Sequence, residues 1–201
     1  MFPINLAYAE SETTRRLSAE IVVMKADLKR IIYSGLSLQH KKGLKTRIKG
    51  GVAILPLLIR KSWNGLLPLP SHRSNQMKKI QSALNSGNYI FVYKELDKLI
   101  LKYPFNTKGL LPPDNRPLAI QRSKRIHESF CAGCHDEPDT SISRPAWSLF
   151  ELSKNNSLKE FSARMVIGIR GDSLTGLDNP LRDSEISALI AYYRRSTPKS
   201  E

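Results

Sequence analysis

The chain has 201 residues and a mass of 22.7 kDa, with 40% hydrophobic and 25% charged residues, a composition that suits one or two globular domains and excludes wholesale disorder. Its longest apolar run, Val52 to Ile59, falls far short of the roughly 20 residues that a membrane-spanning helix needs, and two cysteines cannot make a disulfide scaffold. The net charge of +14 is unevenly placed: residues 1–116 hold 20 Lys+Arg against 7 Asp+Glu, and residues 117–201 hold 12 against 11.

At the start, Ala7-Tyr8-Ala9 before Glu10 has the small-x-small form of a signal-peptidase site. Residues 1–9 are therefore expected to be the remnant of a signal peptide whose basic and apolar regions belong upstream. From Thr13, the residues Leu17, Ile21, Met24, Leu28 and Ile31 recur at steps of four, three, four and three, which predicts one amphipathic helix. It opens at the polar Ser11-Glu12-Thr13-Thr14 cluster and closes near Gly35. Residues 43–63 are apolar and basic, but Gly50-Gly51 and Pro56 interrupt them, so shorter helices with a kink are expected. Met77, Ile80 and Leu84 carry helical spacing to Gly87, and residues 89–103 place Val92, Leu96, Leu99 and Ile100 on one face. Residues 10–103 thus read as a basic helical domain with no alternating run that would suggest a sheet. Between Leu28 and Lys94 there are 13 basic residues and no acidic one, a field that attracts an acidic protein surface, an anionic membrane face or nucleic acid. Residues 104–117, rich in proline, form a linker or a strap over a neighbouring surface, and a second domain follows over 118–201.

Chemistry concentrates in Cys131-Ala132-Gly133-Cys134-His135. Two thiols spaced C-x-x-C can add to the two vinyl groups of one haem, and the next residue, a histidine, can place its imidazole on the iron from the same turn. A zinc site needs four ligands, and there is no cysteine elsewhere and no histidine after His135 to complete one. A thioredoxin-like redox pair would need a preceding strand, whereas the flanking pattern is helical. One covalent haem c is the expected cofactor.

Around this pentapeptide the chain from about Ser123 to Thr197 resembles the class I cytochrome c family. Ser123-Lys124-Arg125-Ile126 is similar to the family's N-terminal helix, and Leu189-Ile190-Ala191-Tyr192-Tyr193-Arg194 to its C-terminal helix. The residues agree with a helix there: Ile186, Leu189, Ile190 and Tyr193 follow Asp183-Ser184 at three- and four-residue steps, with Glu185 at the start and Arg194-Arg195 at the end. The resemblance covers the second domain alone. It implies a cytochrome c-like helical haem domain, which after the helical bundle read from the periodicity of the first domain makes an all-α protein. It also implies that His135 is the proximal ligand, with Nδ1 bonded to the carbonyl of Pro145, and that Arg144 and Trp147 donate to a haem propionate. His127 is expected to pack against Tyr192.

The chain departs from the family at the other axial position, where Leu177 in Gly176-Leu177-Asp178-Asn179-Pro180 stands in place of a methionine. Leucine cannot bind iron. Met165 is a candidate sixth ligand, with core packing beside Phe161 and Ile169 as its alternative role, and Asn179, His72 and His40 are further candidates; an open site is the leading expectation. The implied function is electron transfer by a monohaem cytochrome in the bacterial envelope, periplasmic or on the outer face of the cytoplasmic membrane, with the basic residues 28–94 docking on an acidic redox protein or an anionic membrane. The alternative is a haem protein that binds or senses O2, NO or CO. No distal acid–base residue suited to peroxide cleavage stands out, so catalysis is the lesser expectation. Covalent haem attachment outside the cytoplasm disfavours nucleic acid as the partner.

Overall fold

A computed structural model describes residues 12–62, 71–142, 145–168 and 179–195, without the side chains of 71–74. The expected signal-peptide remnant, Arg144 and Leu177 lie outside these residues. All regular structure among the described residues is helical. The order is α1 (Glu12–Tyr33), α2 (Leu38–Ser62), α3 (Ser71–Asn85), α4 (Tyr89–Lys102), α5 (Pro117–Phe130), α6 (Ala132–His135), α7 (Leu149–Asn155), α8 (Leu158–Ile167) and α9 (Asp183–Arg195).

The stripe Leu17, Ile21, Met24, Leu28 and Ile31 buries α1 against α2 and α4, in a first apolar cluster with residues such as Ile48, Leu55, Ile80 and Leu96. Helix α1 has a second buried side. Ala19 and Val23 enter a second cluster built from α7, α8 and α9, and α1 lies directly along α8.

Helix α2 runs unbroken through Gly50-Gly51 and Pro56, where shorter kinked pieces were expected. Gly51 lies where α2 meets α1: a Cβ there would sit 2.5 Å from Met24 Sδ, so the glycine serves close packing. Pro56 removes one backbone donor, but Val52, Leu55, Leu58 and Ile59 are buried on both sides of it, and that burial holds the helix through the defect. Helices α3 and α4 join through Gly87, at φ +78°, and Asn88, whose side chain accepts from Phe91 N–H at 3.2 Å.

The proline-rich segment after α4 is a strap. Phe105 and Leu110 bury themselves in the second cluster, and Asp114 N–H donates to Ser187 Oγ of α9 at 3.0 Å. Pro117 then opens α5 in the first turn, where a missing N–H costs nothing. Helix α5 packs on α9 through Ser123 and His127, and Ser153 Oγ of α7 donates to the Tyr193 carbonyl at 2.9 Å.

Candidate functional site

Ser123, His127 and Cys131 stand at i, i+4 and i+8, so the row that buries α5 ends on the first thiol. Cys131 N–H still donates to the His127 carbonyl at 2.9 Å, and the Cys131 carbonyl accepts from the N–H groups of Cys134 (3.2 Å) and His135 (3.0 Å). The pentapeptide is therefore one helical turn. Cys131 is 8% exposed, Cys134 is exposed, and His135 is half-buried.

Among the described residues the His135 ring is oriented by the bond from Nδ1 to the Trp147 carbonyl at 2.6 Å. A carbonyl only accepts, so Nδ1 carries the proton and Nε2 presents a bare lone pair. Burial pushes His135 below the usual histidine range, outweighing the opposing effect of the carbonyl, which keeps the ring neutral as an iron ligand must be. The expected acceptor was the carbonyl of Pro145. Pro145 and Trp147 share the short non-helical segment before α7, and the ring meets the residue next to the Ser148 cap, where α7 begins.

Burial raises the Cys131 thiol, and the neighbouring Tyr193 hydroxyl only partly offsets this. A redox-active C-x-x-C depends on a lowered thiol pKa, so the shift has the wrong sign for a thioredoxin-like pair. Among the described residues no three His, Cys, Asp or Glu side chains gather into a metal-binding group. Two thiols and a neutral imidazole with Nε2 bare, all on one turn, fit a covalently held haem.

His127 is 3% exposed and packs against Tyr192 at 5.8 Å between ring centroids, and against Phe150 at 5.3 Å and Tyr193 at 5.4 Å. Both its nitrogens are occupied, Nδ1 with Tyr193 Oη and Nε2 with Asp136 Oδ2, each at 3.0 Å. It is a structural residue. Tyr193, fully buried, is the hub of this aromatic cluster, a role its place at the end of a helical stripe did not reveal.

The other candidates are dispersed. Met165 is 8% exposed within the second cluster. Asn179 is not free to bind iron: Nδ2 donates to the carbonyls of Met165 (2.7 Å) and Val166 (3.1 Å), and Oδ1 accepts from Leu181 N–H at 3.0 Å. It closes the end of α8, where Gly168 turns at φ +73°. His40 lies on α2 with Nδ1 bonded to Ser37 Oγ at 2.9 Å and its ring on the indole of Trp147, and the His72 side chain lies outside the described residues. Trp147 thus meets the first half of the chain.

A network missed in the sequence lies nearby. Asp27, wholly buried on α1, accepts from Arg47 (2.5 Å), Arg164 (2.6 Å) and Arg30 (3.4 Å). Glu160 accepts from Arg30 (2.7 Å) and Arg164 (2.9 Å). Its signals were an aspartate beside Leu28 in the apolar stripe of α1 and a Glu–Arg pair four residues apart on α8. Compared with family models, curated proteins and solved structures, the chain matches none.

Proposed function

We propose that the chain is a monohaem c-type cytochrome that carries single electrons in the bacterial cell envelope. The observation that carries this reading is the single-turn C-x-x-C-H whose histidine gives Nδ1 to a backbone carbonyl and keeps Nε2 bare. Cys131 and Cys134 would carry the thioether links and His135 the axial bond. When bound, the haem supplies a one-electron ferric/ferrous couple. The protein holds the imidazole neutral and aimed, and backs the turn with the aromatic cluster around Tyr193.

No helix among the described residues is long and apolar enough to cross a membrane. Two adjoining surface grooves of about 430 and 490 Å3 share Lys45, Gly87 and Tyr89, with Lys41 in one and Lys42 and Lys49 in the other. These lysines are where an acidic redox protein or an anionic membrane would dock. The second reading is a protein that binds O2, NO or CO at an open iron face. The commitment of Asn179 favours it, because it removes a candidate sixth ligand.

The test is acid–acetone extraction of protein made in a host with c-type maturation. Colour should stay with the protein and give a c-type pyridine haemochrome, and Cys131→Ala with Cys134→Ala should lose it. Colour passing into the solvent overturns the reading.

A further inference from the structure

Two groups from the first half of the chain lie over the Trp147 indole. The His40 ring of α2 stacks on it at 5.6 Å between centroids and 24° between planes. The Arg30 guanidinium of α1 sits 5.6 Å from its centre. Arg30 is itself fixed, with Nη2 donating to Asn156 Oδ1 at 2.5 Å and Glu160 Oε1 at 2.7 Å. The segment leading to Trp147 is pinned as well, since Gln39 Nε2 of α2 donates to the carbonyls of Thr140 (2.8 Å) and Ile142 (2.5 Å). The residue so held is the one whose carbonyl accepts the hydrogen bond from His135 Nδ1.

The geometry points to a positioning role for His40 and Arg30: through Trp147, the basic helical half sets the orientation and basicity of the axial histidine. This rests on the reading of His135 as an iron ligand. A short Nδ1–H bond to a carbonyl makes Nε2 a stronger donor, and a stronger donor favours ferric iron. Loss of the stack would let the Trp147 carbonyl drift from Nδ1. The iron–histidine bond then weakens and the midpoint potential rises. His40 is half-buried and its other bond is local, to Ser37, so its replacement leaves both cores intact.

The experiment uses the full-length holoprotein and measures covalent haem per chain, spin state, the ferrous iron–histidine stretching band after photolysis of the carbon monoxide adduct, and the midpoint potential. His40→Ala should keep wild-type haem content and spin state, lower the stretching frequency and raise the potential. His40→Phe, which keeps a flat ring, should restore both values. Arg30→Lys should shift them as His40→Ala does, because an ammonium cannot spread over the indole. Wild-type band and potential in His40→Ala, or a His40→Phe protein that behaves like it, overturns the role. A change of spin state in His40→Ala makes His40 a ligand and overturns it too. A wild-type chain without covalent haem defeats the reading of the site itself, and the positioning role with it.

Discussion

Met165 marks the difference between a carrier with a thioether ligand and a protein with an open iron face. It sits in the second cluster, 8% exposed, where packing alone accounts for a flexible apolar side chain. On the open-site reading Met165→Leu, a near volume-conserving change, should cost less than about 1.5 kcal/mol and leave the optical spectrum of the ferric protein high-spin, as in the wild type. A low-spin native spectrum that turns high-spin in this variant would make Met165 the sixth ligand. The packing of His127 on Tyr192 was expected from the resemblance of the two flanking helices to the cytochrome c family, since no spacing within one helix pairs residues of α5 and α9. The Trp147 carbonyl was not, since a backbone acceptor carries no side-chain signature and Pro145 is equally plausible two residues earlier.

Helix α1 was predicted nearly to its ends, because five apolar residues at helical spacing specify one buried face. Its second face was hidden: Ala19 and Val23 are too small and few to make a stripe, and Asp27 looks like a solvated charge until Arg47 and Arg164 are placed around it. Burial by itself would raise the Asp27 carboxyl, but Arg164, Arg47 and Arg30 outweigh it and hold the group below the usual carboxylate range. A carboxylate so depressed contributes stability that is complete above its unfolded pKa of about 3.9 and is lost as the pH falls through the lower folded value. Asp27→Asn should therefore destabilise the protein by about 3 to 5 kcal/mol near neutrality, by leaving arginines buried without their counter-charge. In urea unfolding followed by circular dichroism, the wild type should lose stability below about pH 4 while Asp27→Asn shows a shallower fall there. Equal slopes for the two proteins would mean that Asp27 is not the group that titrates.

Over the whole molecule, the sequence was legible as an all-helical chain with its charge in the first half, since helical periodicity and composition are local properties. How the halves interlock was not, because it depends on residues such as Asp27 and Arg164 that lie 137 positions apart. The interlock bears on how the basic surface is tested. Cutting the chain between the halves would strip the second cluster of Ala19 and Val23, so the full chain is the proper subject. Replacing Lys41, Lys42, Lys45 and Lys49 with Gln should abolish low-salt retention on vesicles containing phosphatidylglycerol, or on an immobilised acidic protein, and leave the haem spectrum unchanged. Retention by the wild type should fade as salt shortens the Debye length to about 8 Å or less. Undiminished retention of the quadruple variant would place docking elsewhere.

The two-sided burial of α1 also orders events as the chain folds. Its partners α2 and α4 follow within the next 90 residues and can dock early, but α8 emerges last but one, and closing so long a loop is slow. Until α8 arrives, Asp27 and Arg47 pair without Arg164, and the second cluster stays open around the row that ends in Cys131. A chain held at that point would have its first bundle formed and the thiol that later lies 8% exposed still within reach of a modifying enzyme. Docking of α9, which packs on α5 and sets Tyr193 beside Cys131, ends that stage.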